Sequence, residues 1–290
     1  MQIPPARARD TGGMGILDAF FGPKAPTLHV AVDEGVGHPV ILLHGLASTS
    51  ATWDMVVPLL RDNHRVISID LLGFGESPAP VGATYTLEEH VASVERTLRS
   101  LGIRGRATLV GHSLGSLIAA RYAARNPSLL SHLILVSPPI YLPGEAVLDP
   151  LERFQMEAYK KLHSYMRSNR TFTEAAARAA SLLVPMKGGI EVTEKNWRAV
   201  SLSLEHCIEK QTAVTDLAQV RIPVDAIWGT RDPFMAPAGL RLVERMRGVA
   251  STKVDGADHV IREKFAEEIA RLVDNPSPPT TPIRVVKEKA

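Results

Sequence analysis

The stretch "LVGHSLGSL", Leu109–Leu117, decides how the rest of the sequence is interpreted, because it places a serine between two glycines in the pattern G-x-S-x-G. Apolar residues lead into Gly111 as in a buried strand, and the residues after Ser113 have helical spacing. So tight a turn from strand to helix requires small residues two positions before and after the serine, which Gly111 and Gly115 supply. The pattern predicts that Ser113 is a nucleophile at the start of a helix, with the Leu114 N–H directed at an oxyanion.

Short apolar, β-branched runs alternate with helical patterns on both sides of this stretch. The runs that resemble buried strands are Pro39–Gly45, Arg65–Leu71, Arg106–Gly111, Ser131–Ser137, Ile222–Gly229 and the weaker Ala250–Gly256. The helical patterns between and after them are Thr86–Gly102, Leu114–Pro127, Ala238–Gly248 and Val260–Asp274. Strands that are apolar throughout are typical of a parallel sheet covered on both faces. The sequence therefore predicts an α/β fold with a doubly wound, mostly parallel sheet and helices on both faces.

One long region interrupts the alternation. Residues 139–216 contain no clear strand pattern and several helical ones, which predicts an inserted α-helical cap over the carboxyl ends of the strands. The core is then formed by residues 27–138 and 217–273. Residues 1–26 are interpreted as a loosely held arm, and residues 274–290, which are rich in Pro and Thr, as a flexible tail.

Composition excludes several classes of protein. Apolar residues make up 45% of the 290 residues, charged residues 22%, and the formal net charge is +2. This balance gives no electrostatic footprint for nucleic acid. The lone cysteine, Cys207, cannot form an intrachain disulfide, and no apolar run has the length of a transmembrane helix. No signal peptide is recognised, so we expect a cytoplasmic protein; its oligomeric state is left open.

A serine nucleophile needs a base, and the base needs an acid that orients it. Asp232 lies three residues beyond the strand ending at Gly229, and His259 follows the last strand. The order Ser113, Asp232, His259 is the chain order that this arrangement requires. Asp255 and Asp258 are rival acids, but Asp258 is expected to cap the last helix instead.

The loop after the first apolar run supplies a second expected oxyanion donor, the Leu46 N–H in "HGLAST". His44 in that loop could be mistaken for a base, yet its place before a glycine favours a role in shaping the loop. His112, inside the serine turn, is interpreted as a packing residue. His163 and His206 in the predicted cap could line a pocket, although exposed positions are the commoner case.

These residues together resemble the α/β-hydrolase fold superfamily, over roughly residues 27–273. The segments that carry the resemblance are "HGLAST", "DLLGFGESPAP" (Asp70–Pro80), "GHSLGS", "GTRDP" and "GADH". The chain looks like a member of the serine hydrolase branch with a helical cap. The resemblance implies a catalytic triad of Ser113, Asp232 and His259, an oxyanion hole formed by the Leu46 and Leu114 N–H groups, and no cofactor or metal. It also implies that the Asp70–Pro80 segment is mainly structural.

The substrate follows less directly from the sequence. Ser113 argues against dehalogenases and soluble epoxide hydrolases of this fold, which carry Asp as nucleophile. We expect an esterase or lipase acting on a small or medium apolar ester, with Met156, Met166 and Met186 of the cap lining the pocket. Alternatives are a carbon–carbon bond hydrolase of a ketoacid, a cofactor-free perhydrolase and a hydrolase-fold ligand receptor that keeps the triad but turns over slowly. The first usually has a Trp soon after the catalytic His, which "HVIREKF" lacks.

Overall fold

The computed structural model describes residues 25–183, 191–278 and 283–286, with only the backbone described for residues 180–183. Eight strands of this part of the chain form one sheet, in the order β1-β3-β2-β4-β5-β6-β7-β8. The strands are β1 (Val30–Glu34), β2 (His38–Leu43), β3 (His64–Ile69), β4 (Ala107–His112), β5 (Leu130–Val136), β6 (Val224–Gly229), β7 (Val249–Val254) and β8 (Arg284–Val286). β1 is antiparallel to β3 and all other neighbours are parallel, so the predicted sheet is confirmed.

Helices cover both faces of the sheet. They are α1 (Val57–Leu60), α2 (Leu87–Ser100), α3 (Leu114–Arg125), α4 (Pro150–Ser168), α5 (Arg170–Leu183), α6 (Trp197–Ser203), α7 (Ala213–Gln219), α8 (Pro237–Arg245) and α9 (Glu263–Asp274). The side chains of successive residues along a strand pack alternately into two separate apolar clusters. In β2, Ile41 and Leu43 join the cluster that includes α2 and α3, while Val40 and Leu42 join the one under α1 and α9. This alternation explains why the strands are apolar throughout.

Helix α2 shows how local sequence sets an element. The Thr86 hydroxyl accepts a hydrogen bond from the Glu89 N–H at 3.3 Å, as expected for an N-cap. The Glu89 carboxylate reaches past Thr86 and accepts from the N–H groups of Thr84 and Tyr85 at 2.8 and 2.7 Å. Gly102, with a φ of +70°, ends the helix in a conformation that glycine adopts without strain.

Four helices, α4 to α7, lie between β5 and β6 and form the inserted helical segment that the sequence predicts. Its predicted limit at residue 216 falls inside α7, whose Asp216 accepts a hydrogen bond from Arg121 of α3 at 2.7 Å. Because α7 is tied to a core helix, the division into core (27–138 and 217–273) and cap (139–216) stays a prediction. Met186 lies outside the described residues, as does most of the predicted arm.

Within the predicted flexible tail, residues 274–290, the described residues Arg284–Val286 form a strand. Strand β8 pairs in parallel with β7, and the Asp255 N–H donates to Val286 O at 2.8 Å. Arg284 also donates to the buried Glu268 of α9 at 2.6 Å. The sequence does not predict β8, because a strand of three residues is too short to give a pattern and lies in a Pro- and Thr-rich segment.

None of the helices in the described ranges is long and apolar enough to cross a membrane.

Candidate active site

Ser113 occupies the tight turn between β4 and α3. Its φ of +52° and ψ of −118° are unusual for a residue with a side chain, and such strained positions cluster at functional sites. The strain is held by hydrogen bonds on both sides: the Ser113 N–H donates to Val136 O at 2.9 Å, and Ser113 O accepts from the Ser116 N–H at 2.9 Å. The turn therefore holds Ser113 at the carboxyl ends of the central strands.

The flanking glycines are required by backbone crowding. A Cβ on Gly111 would lie 2.3 Å from Gly115 O, and one on Gly115 would lie 2.3 Å from Leu43 O. Real Cβ atoms do not approach a carbonyl oxygen this closely, and backbone cannot move aside as a flexible side chain can. The spacing that drew attention to Ser113 is thus a steric requirement of the turn.

Asp232 and His259 lie in the loops after β6 and β7 and are hydrogen-bonded to each other. His259 Nδ1 is 2.7 Å from Asp232 Oδ2, and the Phe234 N–H donates to Asp232 Oδ1 at 2.9 Å. Burial alone would raise the pKa of Asp232, but the hydrogen bonds and charge of His259 and the Phe234 N–H outweigh it and lower that pKa. Asp232 is therefore a buried carboxylate suited to orient an imidazole.

A third contact connects this pair to the serine turn. His112, the neighbour of Ser113, donates from Nε2 to His259 O at 3.0 Å, and the two rings lie 4.7 Å apart. Burial lowers the pKa of His112 to about 3, so its ring is neutral at ordinary pH. The structure thus brings the serine turn, Asp232 and His259 together. His112 does more than fill space, because it fixes the backbone of the base loop.

The rival acids are engaged elsewhere. Asp258 accepts from the Val260 N–H at 3.0 Å and pairs with Arg262, while Asp255 accepts from the Thr230 hydroxyl at 3.1 Å. The expectation that Asp258 caps the last helix was wrong. Helix α9 begins at Glu263 with Arg262 as its N-cap, so Asp258 lies four residues before the cap position.

The predicted oxyanion loop lies against Ser113. A Cβ on Gly45 would sit 3.1 Å from Ser113 Cβ, a tight contact that shows how closely this loop approaches the serine. Ala47 has a φ of +53°, so the loop turns sharply just after Leu46. Leu114 is the first residue of α3 and is fully buried. The roles of the Leu46 and Leu114 N–H groups stay predictions.

His44 holds this loop in place. Its Nδ1 donates to Gly45 O at 2.7 Å, and its Nε2 accepts from the Leu71 N–H at 2.8 Å. Burial lowers its pKa to about 4, in keeping with a neutral ring that donates at one nitrogen and accepts at the other. These contacts agree with a loop-shaping role for His44.

The Asp70–Pro80 segment forms a rigid support beside the loop. Asp70 accepts from the N–H groups of Ser50 and Glu76 at 2.8 and 3.1 Å. A Cβ on Gly75, whose φ is +54°, would lie 2.3 Å from the Asp70 carboxylate. The segment is therefore built around its own aspartate, in agreement with the structural role implied by the resemblance.

Two of the predicted pocket residues, Met156 and Met166, are packed inward. Met156 is buried in the cluster shared with α2 and α3, and Met166 is partly buried against the same cluster. No described contact joins either of them to Ser113, so their role in a pocket stays a prediction. His163, expected to be exposed, is buried, and burial lowers its pKa to about 4. His206 is half-buried and donates to Thr84 O at 2.7 Å.

Sequence reasoning missed three aromatic residues around the acid loop. The Phe234 ring lies edge-on to the His259 ring, with centroids 4.7 Å apart. Tyr141 donates from its hydroxyl to Phe234 O at 3.1 Å, and Tyr159 of α4 donates to Pro233 O. The position of Phe234 two residues after Asp232 was a usable signal. The tyrosines gave none, since their contacts depend on how the helical segment packs.

Comparison with known proteins agrees with this architecture. The family model described as alpha/beta hydrolase fold matches residues 38–261 of the chain. Lipase 1 of Psychrobacter immobilis is 25% identical over 248 residues, which are 82% of this chain and 75% of that protein. The enol-lactonase from Burkholderia xenovorans LB400 superposes with a TM-score of 0.64 over 86% of this chain and 95% of its own, at 22% identity. So low an identity shows the fold alone.

A third group of relatives matches a shorter region. Probable lysophospholipase BODYGUARD 3 of Arabidopsis thaliana is 41% identical over 107 residues, which are 35% of this chain and 21% of that protein. The chain spans 21% to 33% of the length of the four lysophospholipases of this name that it matches.

Proposed function

The chain belongs to the α/β hydrolase fold family, and we propose that it is a serine hydrolase that cleaves carboxylic esters through an acyl-enzyme intermediate. The observation that carries the proposal is the convergence of three loops. The strained turn at Ser113 is bonded through its neighbour His112 to the backbone of His259, whose ring is bonded to the buried Asp232. These contacts support the assignment of Ser113 as nucleophile, His259 as base and Asp232 as orienting acid, the three groups that ester hydrolysis needs.

In the proposed reaction Ser113 attacks the ester carbonyl while His259 accepts the hydroxyl proton. The Leu46 and Leu114 N–H groups stabilise the oxyanion that forms on the carbonyl oxygen. Asp232 stabilises the imidazolium and holds its Nδ1–H toward the carboxylate. His259 then protonates the leaving alcohol, and a water that it activates releases the acid from Ser113. The reaction uses groups of the chain itself and needs no cofactor.

We further propose a small or medium apolar ester as the substrate. The names of two relatives, a lipase and a probable lysophospholipase, support an ester with an acyl chain. The apolar residues of the helical segment, Met156 and Met166 among them, support an apolar acyl group. Carbon–carbon hydrolysis and perhydrolysis are alternatives for the same nucleophile, and a hydrolase-fold ligand receptor with slow turnover is the alternative outside enzymes.

The experiment combines turnover and labelling. Purified protein is incubated with p-nitrophenyl esters of graded acyl length and with a fluorophosphonate probe, and the labelled peptide is identified by mass spectrometry. We expect turnover and labelling at Ser113, and loss of both in Ser113→Ala. Ser131→Ala, at the opposite ends of the strands, is the control and should keep both. Absence of turnover and labelling in the wild type contradicts the proposal, whereas faster cleavage of a dienoic ketoacid favours the carbon–carbon alternative.

A further inference from the structure

The loop that carries the acid is held by two hydroxyls from outside the α/β core. Tyr141, in the segment after β5, donates to Phe234 O at 3.1 Å, and Tyr159, on α4, donates to Pro233 O. Their acceptors are the carbonyls of the two residues that directly follow Asp232. The segment after β5 and helix α4 therefore fix two successive peptide groups of the loop that carries Asp232.

The same peptide groups set the geometry of the acid and the base. The Phe234 N–H holds one oxygen of Asp232, while the other oxygen accepts from His259. The Phe234 side chain packs edge-on against the His259 ring, with an angle of 67° between the planes. A shift of the Pro233 and Phe234 carbonyls would thus move the carboxylate and the ring that packs on the imidazole at once.

The tyrosines are themselves well supported. Their rings are stacked with centroids 5.7 Å apart, and the His163 ring packs against Tyr141 at 5.5 Å. Gln211 accepts from the Tyr141 N–H at 3.2 Å and holds the adjacent backbone. Burial raises the pKa of Tyr141 and of Tyr159 above the usual value, so both hydroxyls stay protonated donors at working pH.

We propose that Tyr141 and Tyr159 are positioning residues through which the helical segment sets the orientation of the Asp232–His259 pair. The inference rests on the proposed function, since it assigns the two residues to the machinery of that reaction. They act on the acid loop, and no contact with substrate is required of them. The helical segment thereby contributes to the competence of the catalytic pair as well as to the cover over it.

The first test removes each hydroxyl and keeps its ring. We expect Tyr141→Phe and Tyr159→Phe to lower kcat for p-nitrophenyl esters about tenfold, because small misplacements of catalytic groups are costly, and to change KM less than about twofold. Tyr165→Phe is the matched control, since Tyr165 lies on the exposed side of α4 and its hydroxyl bonds to Asn169. An unchanged kcat in both test variants, or a change confined to KM, would overturn the inference.

The second test asks whether the tyrosines act through the acid. In an Asp232→Asn background the orienting carboxylate is already lost, so Tyr159→Phe should lower kcat no further, whereas independent effects would multiply. A full tenfold loss in that background contradicts a role through Asp232.

The third test does not depend on turnover. The proton between His259 Nδ1 and Asp232 gives a low-field resonance in the proton NMR spectrum, assigned by its loss in His259→Ala. We expect Tyr159→Phe to shift this resonance and Tyr165→Phe to leave it in place. If the wild type cleaves no ester and takes up no probe, the proposed function fails, yet the NMR comparison still decides the positioning role. An unshifted resonance in Tyr159→Phe rejects that role.

Discussion

Two histidine–aspartate pairs lie near opposite edges of the sheet, one in the loops after β6 and β7 and the other near the amino ends of β5 and β6. At the carboxyl ends, His259 Nδ1 is 2.7 Å from Asp232 Oδ2, and at the amino ends His132 Nε2 is 2.8 Å from Asp225 Oδ2. Asp225 lies on β6, and Asp232 lies seven residues later, just after that strand. Bond length does not distinguish the pairs. The side chain of His259 is 17% exposed and packs on the serine turn, whereas that of His132 is 2% exposed inside the fold.

A hydrogen-bonded histidine–aspartate pair therefore gains a chemical role from the exposure of its histidine to solvent and from the residues around it. Asp225 Oδ1 and His132 Nδ1 are buried without hydrogen-bond partners among the described residues. Asp225 also accepts from the Ser277 N–H at 3.1 Å, which fastens the chain just after α9. We therefore interpret the amino-end pair as structural and the carboxyl-end pair as catalytic.

The largest expected effect follows from removing each histidine. His259→Ala should lower kcat about 10⁶-fold, because the serine loses its base. His132→Ala should keep kcat per folded molecule near the wild-type value and lower the free energy of unfolding by about 3–5 kcal/mol, since a buried carboxylate loses its partner. Ester turnover and urea unfolding measure the two quantities. Loss of turnover in a fully folded His132→Ala protein would contradict this division of roles.

Replacing each aspartate by asparagine tests the same difference between the two histidine–aspartate pairs. Asp232→Asn should lower kcat about 10⁴-fold, because an amide can donate to His259 Nδ1 and so favours the wrong tautomer. Asp225→Asn should change kcat less than about twofold and affect mainly stability, by about 1–3 kcal/mol. Both variants are compared in the same ester assay and in thermal unfolding. Equal losses of kcat would show that the pairs are not distinguished by position.

One glycine before β4 and one in the helix after it, Gly105 and Gly115, give a smaller contrast. Gly115→Ala places a Cβ 2.3 Å from Leu43 O and should lower the free energy of unfolding by about 3 kcal/mol or more. Gly105 precedes β4 at its amino end, and a Cβ there meets no atom within 4 Å. Gly105→Ala should be neutral or stabilise by about 0.4–1 kcal/mol, because it restricts the unfolded chain. Urea unfolding decides the point, and similar effects of both variants would refute it.

The smallest expected effect concerns pH. Burial lowers the pKa of His44 to about 4, whereas in the unfolded chain histidine titrates near a pKa of about 6.5. As pH falls from 7 to 5 the unfolded chain gains a proton that the folded chain does not, so His44 alone removes about 2 kcal/mol of stability. His44→Asn should be less stable at pH 7 but lose about 2 kcal/mol less on acidification. Equal losses in both proteins, measured by urea unfolding, would contradict this account.

Much of the fold could be predicted from the sequence because its signals are local. The parallel strands other than the short β8 are apolar runs, and the turn at Ser113 is bounded by glycines that sterics demand. The places of Asp232 and His259 followed from the ends of β6 and β7, since parallel strands bring their carboxyl ends together. The hydrogen bond between the two side chains then depends on only two short loops.

The rest could not be predicted because it depends on packing between distant segments. The His259 carbonyl accepts a hydrogen bond from His112, a residue 147 positions away. The hydroxyls of Tyr141 and Tyr159 reach the acid loop across 93 and 74 positions. None of these three contacts leaves a periodic pattern or a characteristic spacing in the sequence, so only the folded chain reveals them.

Strand β8 has a consequence for self-association. An unpaired strand at the side of a sheet offers its free N–H and C=O groups to other chains, which is a common route to aggregation. In this protein β8 covers that side of β7, and it is itself short, with Arg284 beside Glu268. A chain shortened after Asp274 would keep every group of the proposed catalytic site and would expose β7. Its defect should therefore be seen as concentration-dependent association, before any loss of chemistry.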